Sequence, residues 1–273
     1  MEIKLIALDL DGTTLNSIGL LTQVTKDAIE SVIQRNLYVV IATGRAFSAL
    51  PEDILKIKGI HYIVTSNGAR VFDIKEARTI YSNLIGEGEL EIIVKLLRQY
   101  DFMIEAFISG VAYVDRKVYD NIETIGLNKK HSDYVLKTRK PVRNLFDFIL
   151  SNKGNVENIN INFGKQEDKK MMTVVLEQLK NVTITSSFDH NLEIGGETTS
   201  KADAISKISH ILGIEDKNIM AFGDSPNDGA MLKAAGLSIA MGNSKDQIKE
   251  IAKFITHSND EDGVAFAIKK FLP

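Results

Sequence analysis

Two pairs of carboxylates stand where the chain leaves an apolar run. Asp9 and Asp11 end the first such run, in the segment Asp-Leu-Asp-Gly-Thr. Asp224 and Asp228 follow another run near the other end of the chain, in Gly-Asp-Ser-Pro-Asn-Asp. Carboxylate oxygens are the hard ligands that Mg²⁺ prefers, and a carboxylate can also attack phosphorus. A cluster built from these residues would therefore suit magnesium-dependent phosphoryl transfer.

Two further signals could supply phosphate-binding groups. Thr43 and Gly44 follow the apolar run 37–42, and Lys201 opens a helical pattern. A hydroxyl and an ammonium group can bind phosphoryl oxygens and offset charge in the transition state. Each signal alone is weak, because an Asp-x-Asp segment is more often a turn, and a threonine at a strand end often bonds only to backbone. Their combination in one chain is what favours a site.

Short apolar runs predict the elements that position these residues. Such runs, each followed by a turn residue, are typical of buried parallel strands, and they occupy residues 3–10, 37–42, 62–65, 219–222, 237–240 and 253–256. Helical patterns lie between them at 25–35, 201–212 and 225–235. The alternation predicts an α/β protein with a doubly wound parallel-sheet (Rossmann-like) core, in which ligands bind beyond the carboxyl ends of the strands.

A middle segment with its own elements interrupts the alternation. Its helical and extended patterns occupy 88–100, 102–108, 111–114, 155–163, 166–179 and 182–187. None of the candidate site residues lies in it. We therefore predict a discontinuous core domain, residues 1–82 and 191–273, and an inserted α+β cap domain, residues 83–190.

Composition excludes several classes of function. The 273 residues carry 33 Lys and Arg against 36 Asp and Glu, so nothing favours a nucleic-acid partner. There is no cysteine, which excludes disulfides and thiolate metal sites. No apolar stretch approaches the roughly 18 residues of a membrane span, and the first residues do not form a signal-peptide pattern, so we expect a cytoplasmic protein without a membrane partner. The basic segment 116–143 is expected to be solvated surface.

In their order along the chain, these motifs resemble those of the haloacid dehalogenase-like (HAD) phosphatases, and specifically the Cof-type subfamily with a large α/β cap. The matching motifs are Asp-Leu-Asp-Gly-Thr, Ala-Thr-Gly-Arg, a lone lysine before a helix, and Gly-Asp-Ser-Pro-Asn-Asp. The loops Ser66-Asn67-Gly68-Ala69 and Met241-Gly242-Asn243 also look like those of the family. The resemblance covers nearly the whole chain. It departs at Ala202, where the family usually has glycine, and the cap matches only loosely.

The resemblance implies a role for each candidate residue. Asp9 would be the nucleophile and Asp11 the general acid–base, while Thr43 and Lys201 would bind the transferring phosphoryl group. Asp224, the side chain of Asp9 and the backbone carbonyl of Asp11 would hold Mg²⁺. The residues expected to contact the substrate or its phosphate are Gly12, Thr13, Gly44, Arg45, Asn67 and Asn227, and Asp228 would orient Lys201 or metal-bound water.

These roles predict a Mg²⁺-dependent phosphatase that hydrolyses a small phosphorylated metabolite, either a sugar phosphate or a phosphorylated cofactor, through an aspartyl-phosphate intermediate. The cap would select the substrate, and we expect a monomer or a weak dimer. Two alternatives remain open. A phosphomutase on the same core would release no free phosphate, and a non-catalytic protein that binds a phosphorylated ligand would lack one of the four residues Asp9, Asp11, Lys201 and Asp224, all of which are present.

Overall fold

The structure is a computed structural model that describes residues 2–124 and 129–273. The strands in these ranges are β1 (Leu5–Asp9), β2 (Tyr38–Ala42), β3 (Tyr62–Thr65), β4 (Arg70–Asp73), β5 (Arg78–Ser82), β6 (Met103–Ile108), β7 (Val111–Asp115), β8 (Lys140–Val142), β9 (Val156–Asn162), β10 (Thr183–Thr185), β11 (Asn191–Gly195), β12 (Ile219–Gly223), β13 (Leu237–Ala240) and β14 (Phe254–Ile255). The helices are α1 (Gln23–Gln34), α2 (Glu52–Leu55), α3 (Glu87–Leu97), α4 (Arg116–Asp120), α5 (Lys129–Thr138), α6 (Leu145–Ser151), α7 (Gln166–Leu176), α8 (Lys201–Leu212), α9 (Gly229–Ala234), α10 (Asp246–Ile251) and α11 (Gly263–Phe271). Over these same ranges, no helix has the length and apolar character needed to cross a membrane.

The first of two compact units comprises Met1–Gly44, Leu50–Ser82 and Ser200–Pro273. Its sheet has the strand order β14-β13-β12-β1-β2-β3-β4-β5. The first six strands in this order are parallel, and β4 and β5 add an antiparallel edge. The chain moves outward from β1 to β3 on one side and from β12 to β14 on the other. The strand order therefore reverses between β1 and β12, which is where doubly wound sheets bind ligands. The predicted doubly wound core is confirmed.

Burial on both faces explains why β1 and β12 read as continuous apolar runs. All five residues of each strand are buried. On one face, Leu5 and Ala221 pack with Ile205 and Ile208 of helix α8. A parallel strand covered by helices on both sides has no polar face, so its sequence loses the alternation of a half-exposed strand. The first polar residues, Asp9 and Asp224, then mark the carboxyl edge of the sheet.

The second unit comprises Arg45–Ala49 and Asn83–Thr199. Its sheet has the order β10-β11-β9-β6-β7-β8, antiparallel except for the pair β7–β8. One face of this sheet packs against α3, α6 and α7 in an apolar cluster whose members include Leu90, Ile104, Ile149, Ile159, Met172 and Ile194. This unit has the predicted α+β character.

The boundaries of the second unit differ from those predicted for the cap. Residues 191–199 were assigned to the core, but Asn191–Gly195 is a strand between β9 and β10. Arg45–Ala49 were also assigned to the core, yet Ala46 packs against Phe107 and Ala112 of the second unit. The sequence of a strand does not show which of the two sheets the strand will join, because strands of both sheets consist of the same types of apolar residue. Sequence pattern alone could not place these two segments.

One of the Lys and Arg residues that the structure describes in the basic segment 116–143 is buried, not solvated surface. Arg139 is 7% exposed, and its guanidinium donates to both carboxylate oxygens of Glu105, at 2.7 and 3.2 Å. Burial alone would raise the pKa of Glu105, but the charge of Arg139 outweighs it and holds that pKa below its ordinary value. The pair therefore stays ionised inside the unit, where each charge depends on the other.

Replacing Arg139 with methionine should destabilise the protein by about 3–5 kcal/mol, because the buried Glu105 carboxylate loses its counter-charge. The double variant Glu105→Gln/Arg139→Met should recover most of that loss, which chemical denaturation can measure. The contribution of Glu105 should be present above pH ~4.5 and should be lost as the pH falls through its lowered folded-state pKa. Equal destabilisation in the single and double variants would contradict this account.

Candidate active site

Asp9 and Lys201 form the centre of the candidate site. Asp9 is the last residue of β1 and is 4% exposed. Lys201 is fully buried at the start of α8, and its ammonium donates hydrogen bonds to Asp9 and, at 2.7 Å, to Asp228. The helix begins at this residue because the Ser200 side chain caps it by accepting from the backbone N–H of Asp203. The cap fixes the position from which Lys201 reaches the carboxylates.

The electrostatics of this trio are unusual for buried groups. Burial raises the pKa of Asp9 well above its ordinary value, and the charge of Asp228 raises it further, while Lys201 opposes both effects. Burial would lower the pKa of Lys201, but Asp228 and Asp9 outweigh it and hold that pKa above its ordinary value. Lys201 is therefore a fixed positive charge, and the carboxyl group of Asp9 beside it has little solvation. A poorly solvated carboxylate is a stronger nucleophile than one in water.

The loop after β12 holds its two aspartates in different ways. Pro226–Asp228 forms a 3₁₀ turn before α9, where the sequence predicted one continuous helix. One carboxylate oxygen of Asp228 accepts hydrogen bonds from the backbone N–H groups of Asp224 and Ser225, at 2.9 and 3.0 Å. These bonds stabilise the tight turn. Its other oxygen accepts from Lys201. Asp228 is thus committed to positioning the loop and the lysine.

Asp224 presents its carboxylate among oxygen-bearing side chains. It accepts hydrogen bonds from the hydroxyls of Thr13, at 3.1 Å, and Ser225, at 3.0 Å. Burial and then the charge of Asp228 raise the pKa of Asp224 to about 6. Among the described residues, carboxylate oxygens of Asp9, Asp224 and Asp228 lie within 4.8 Å of one another. Crowded carboxylates, with the raised pKa values of Asp9 and Asp224, and all-oxygen donors fit a hard divalent cation, which would relieve their repulsion.

The turn after β1 packs closely against Asp224. Gly12 has φ +80°, and a Cβ built there would lie 2.6 Å from a carboxylate oxygen of Asp224, so any other residue would strain the backbone and displace this carboxylate. Asp11, the residue before it, is half-buried and forms a β-bridge with Leu15. The side chain of Asp11 is not one of the three in the carboxylate cluster, which is consistent with the predicted use of its backbone carbonyl.

Two asparagines that the sequence analysis did not assign to the site hold this turn in place. Asn243 donates to the carbonyl of Gly12 at 2.8 Å and accepts from the backbone N–H of Asn259 at 3.0 Å. Asn259 donates in turn to the carbonyl of Leu15 at 2.9 Å. The signal for Asn243 was its position just after the strand β13. It resembled a family loop but carried no charge that would have marked it as functional.

The other predicted phosphate-binding residues lie in neighbouring loops of the first unit. Thr43 is buried and follows Ala42, which pairs with Asp9 in the register of β1 and β2. The carbonyl of Thr43 accepts from the backbone N–H of Asn67 at 3.0 Å. Asn227 donates through its amide to the side-chain oxygen of Asn67 at 3.0 Å. Thr43, Asn67 and Asn227 are thereby tied into one network, with Gly44 next in the chain.

Arg45 has its described side-chain contacts within the second unit. It clusters with the second unit, where it donates to the carbonyl of Ala49 at 3.0 Å and lies 5.2 Å from the centroid of the Tyr134 ring. Its predicted contact with substrate stays a prediction. The chain passes from the first unit to the second directly after Thr43-Gly44, so Arg45 follows the predicted phosphate-binding segment while its side chain packs in the second unit.

The fold and the site together define a class, the α/β proteins with a carboxylate cluster at the switch point of a doubly wound sheet and a second α+β unit. A haloacid dehalogenase-like hydrolase from B. subtilis has the same fold, with a TM-score of 0.85 and 28% identity over 99% of this chain and 100% of that one. Residues 6–268 match the family described as haloacid dehalogenase-like hydrolase. The chain belongs to this family, and the predicted resemblance is confirmed.

Two relatives that are named as phosphatases indicate the enzyme class. The chain is 33% identical to the 5-amino-6-(5-phospho-D-ribitylamino)uracil phosphatase YcsE of Bacillus subtilis, over 100% of this chain and 97% of the relative. It is 30% identical to the phosphatase YwpJ of the same organism, over 98% and 100%. The predicted class of enzyme, a phosphoric monoester hydrolase, is confirmed.

Proposed function

We propose that the chain is a Mg²⁺-dependent phosphatase of small phosphate esters that acts through an aspartyl-phosphate. The observation that carries this proposal is the buried Asp9 carboxylate at the switch point of the sheet, held by Lys201 and crowded by Asp224 and Asp228. A buried lysine that neutralises one carboxylate beside two others is costly to build for stability alone. The same arrangement is well suited to receive and transfer a phosphoryl group.

The chain's own residues account for both half-reactions. In the first, an Asp9 oxygen attacks phosphorus, the bond to the leaving oxygen breaks, and Asp11 gives that oxygen a proton. In the second, water attacks the phosphorus of the aspartyl-phosphate, Asp11 takes a proton from the water, and Asp9 is restored as phosphate leaves. Lys201 and Thr43 would bind phosphoryl oxygens throughout, and the fixed charge of Lys201 would stabilise the negative charge of the transition state.

Asp9, Asp224 and the backbone carbonyl of Asp11 would hold the metal ion. Bound there, Mg²⁺ would neutralise charge on the phosphate and the carboxylates. Asp228 would have an indirect role, because both of its carboxylate oxygens already accept hydrogen bonds, one from Lys201 and the other from the loop backbone. It would hold the ammonium group in place while Asp224 faces the metal.

The names of two relatives bear on the choice of substrate. YcsE and YwtE of Bacillus subtilis, at 33% and 32% identity, are both named 5-amino-6-(5-phospho-D-ribitylamino)uracil phosphatases. We therefore propose a small phosphate monoester with a polyol or sugar part, and take the named compound as the first candidate. The expectations of a cytoplasmic protein and of a monomer or weak dimer stay predictions.

Phosphate release tests the proposed function. The purified protein would be assayed with ribityl, sugar, nucleotide and cofactor phosphates, with Mg²⁺ and with chelator. We expect free phosphate from at least one polyol or sugar ester in the presence of Mg²⁺ only. Turnover without free phosphate would indicate transfer within the substrate and contradict the proposal, as would release that chelator does not affect.

The variant Asp224→Asn tests the metal site. We expect the Mg²⁺ concentration for half-maximal activity to rise at least about tenfold, because one charged ligand is lost. The rise in melting temperature that Mg²⁺ gives the wild-type protein should shrink in parallel, and this readout does not depend on turnover. Asp246→Asn, an exposed carboxylate in the same unit, serves as the matched control. An unchanged response to Mg²⁺ in Asp224→Asn would exclude it as a ligand.

A further inference from the structure

The turn that follows strand β3 has a strained backbone. Ser66, Asn67 and Gly68 have φ values of +50°, +57° and +109°, so three consecutive residues lie in the left-handed region. Only glycine enters this region without steric cost, and all three residues are buried. Strain of this kind persists where the surrounding contacts hold it, and it clusters at functional sites. We call residues 66–68 the left-handed turn.

The left-handed turn holds the backbone of Thr43. The N–H of Asn67 donates to the carbonyl of Thr43 at 3.0 Å, and the N–H of Thr43 donates to the carbonyl of Val64 at 2.9 Å. Both backbone groups of Thr43 are therefore bonded to β3 and to the turn that follows it. These two bonds fix the direction in which the buried Thr43 side chain leaves the backbone.

The left-handed turn also packs against the residue that precedes Lys201. A Cβ built on Gly68 would lie 2.2 Å from the carbonyl oxygen of Ser200 and 3.1 Å from its backbone nitrogen. The same carbonyl accepts from the N–H of Ala204 at 3.1 Å, in the first turn of α8. The backbone of Gly68 thus lies directly against the start of the helix from which Lys201 reaches the carboxylates.

The side chain of Asn67 makes a third connection. Its oxygen accepts a hydrogen bond from the side-chain amide of Asn227 at 3.0 Å. Asn227 lies between Asp224 and Asp228 in the loop after β12, so this bond joins the left-handed turn to the segment that carries two of the clustered carboxylates. Asn67 therefore contacts Thr43 through its backbone and the loop after β12 through its buried side chain.

The backbone conformation alone does not require an asparagine at this position. Asn36 has a similar conformation, with φ +63°, in the exposed turn between α1 and β2, where it reverses the chain far from Thr43 in the fold of β2. At residue 67, a glycine would adopt the left-handed conformation with less strain and would keep the N–H that bonds to Thr43. What the asparagine adds to a glycine is the side chain that contacts Asn227.

We propose that Asn67 is a positioning residue for phosphoryl transfer, whose side chain orients Asn227 relative to Thr43 and Lys201 in the geometry that binds the phosphoryl group in the transition state. This role differs from the direct contact with phosphate that the sequence predicted for Asn67. The inference rests on the proposed phosphatase function and adds to it a residue that acts through another. Loss of such a residue should weaken binding of the transition state more than binding of phosphate itself.

The test compares two inhibitors in Asn67→Gly, which keeps the backbone N–H and suits the left-handed turn but removes the side chain. Orthovanadate can adopt the five-coordinate, in-line geometry of the transition state, whereas inorganic phosphate is the tetrahedral product. We expect the Ki of orthovanadate to rise at least about tenfold and the Ki of phosphate to change less than about threefold. The kcat for the ester that the wild-type protein hydrolyses fastest should fall roughly 10- to 100-fold. The matched control Asn36→Gly should leave all three values unchanged.

A cycle of variants with Asn227→Ala shows whether Asn67 acts through Asn227. If it does, kcat of the double variant Asn67→Gly/Asn227→Ala should lie within about threefold of the lower of the two single variants. Losses that multiply would contradict the inference, because the two residues would then act independently. Asn67→Ser, whose side chain is too short to reach Asn227, replaces Asn67→Gly if that variant does not fold.

The outcomes separate the inference from the function on which it rests. If the wild-type protein releases phosphate from esters but Asn67→Gly keeps the wild-type kcat, the inference is wrong and the proposed function stands. Equal rises in both Ki values would indicate direct contact with phosphate, or a role in the fold if the melting temperature also falls, and would overturn it as well. If the wild-type protein hydrolyses no ester, the proposed function is wrong and the inference falls with it. Weaker inhibition by orthovanadate alone supports positioning by Asn67.

Discussion

Asp9→Asn is expected to lower kcat for every phosphate ester at least about 1000-fold, which corresponds to about 4 kcal/mol of barrier. The amide keeps the size of the side chain but has no charged oxygen with which to attack phosphorus. Because burial and Asp228 disfavour the ionised form of Asp9, the neutral amide should not lower the melting temperature of the metal-free protein. Phosphate release and thermal unfolding, measured on the same preparation, give both numbers.

The control for this variant is Asp53→Asn, which removes an exposed carboxylate in the first turn of α2. It should retain wild-type turnover. Near-normal activity in Asp9→Asn would remove Asp9 as the nucleophile. A large loss of stability together with activity would leave its chemical role unproven, and trapping of a phosphorylated wild-type protein by rapid acid quench would then decide the matter.

Lys201→Met should reduce kcat about 100- to 1000-fold, the effect expected for the loss of one charge that stabilises the transition state. It should also destabilise the fold by about 3–5 kcal/mol, because the Asp9 and Asp228 carboxylates lose the ammonium group between them. The lysine is fully buried, so solvent cannot replace it. Steady-state kinetics and denaturant unfolding measure the two effects independently.

The double variant Lys201→Met/Asp228→Asn separates these two roles. Removing the charge of Asp228 relieves the buried repulsion, so much of the lost stability should return while activity stays low. If activity returned together with stability, Lys201 would serve the fold and not the reaction. Wild-type stability in the single variant would contradict the bridging position described for its ammonium group.

The core and the clustering of Asp9, Asp224 and Asp228 could be predicted because their signals are local. Strands covered on both faces must be apolar, so Asp9 and Asp224 stood out as the first charges after them. Parallel strands bring their carboxyl ends to one edge, which made the meeting of distant residues predictable. The distinction between Asp224, which faces the cluster, and Asp228, which holds the loop, depended on backbone hydrogen bonds that a sequence does not display.

The second unit was less predictable for a physical reason. Its sheet is mostly antiparallel, and the central strand β9 is buried on both faces with asparagine on one of them, so polar residues on β9 did not mark a solvent-facing side. Arg139 looked like the other basic residues of its segment until its partner Glu105 was seen. In this unit, the burial of a charged residue such as Arg139 depends on a partner far away in the sequence, and the composition of the segment does not reveal that partner.

The placement of β1 between β2 and β12 has a consequence for biosynthesis. Asp9 leaves the ribosome well before Lys201, Asp224 and the Asn243–Asn259 contact that holds the Gly12 turn. At 5–20 residues per second, the wait from Asp9 to Asp224 is about 10–40 s. During that interval one edge of β1 has no neighbour, so the nascent chain exposes an apolar strand edge that invites wrong pairing. Catalytic competence is thus among the last properties that the growing polypeptide acquires, and a chaperone that shields this edge should raise the yield of active enzyme.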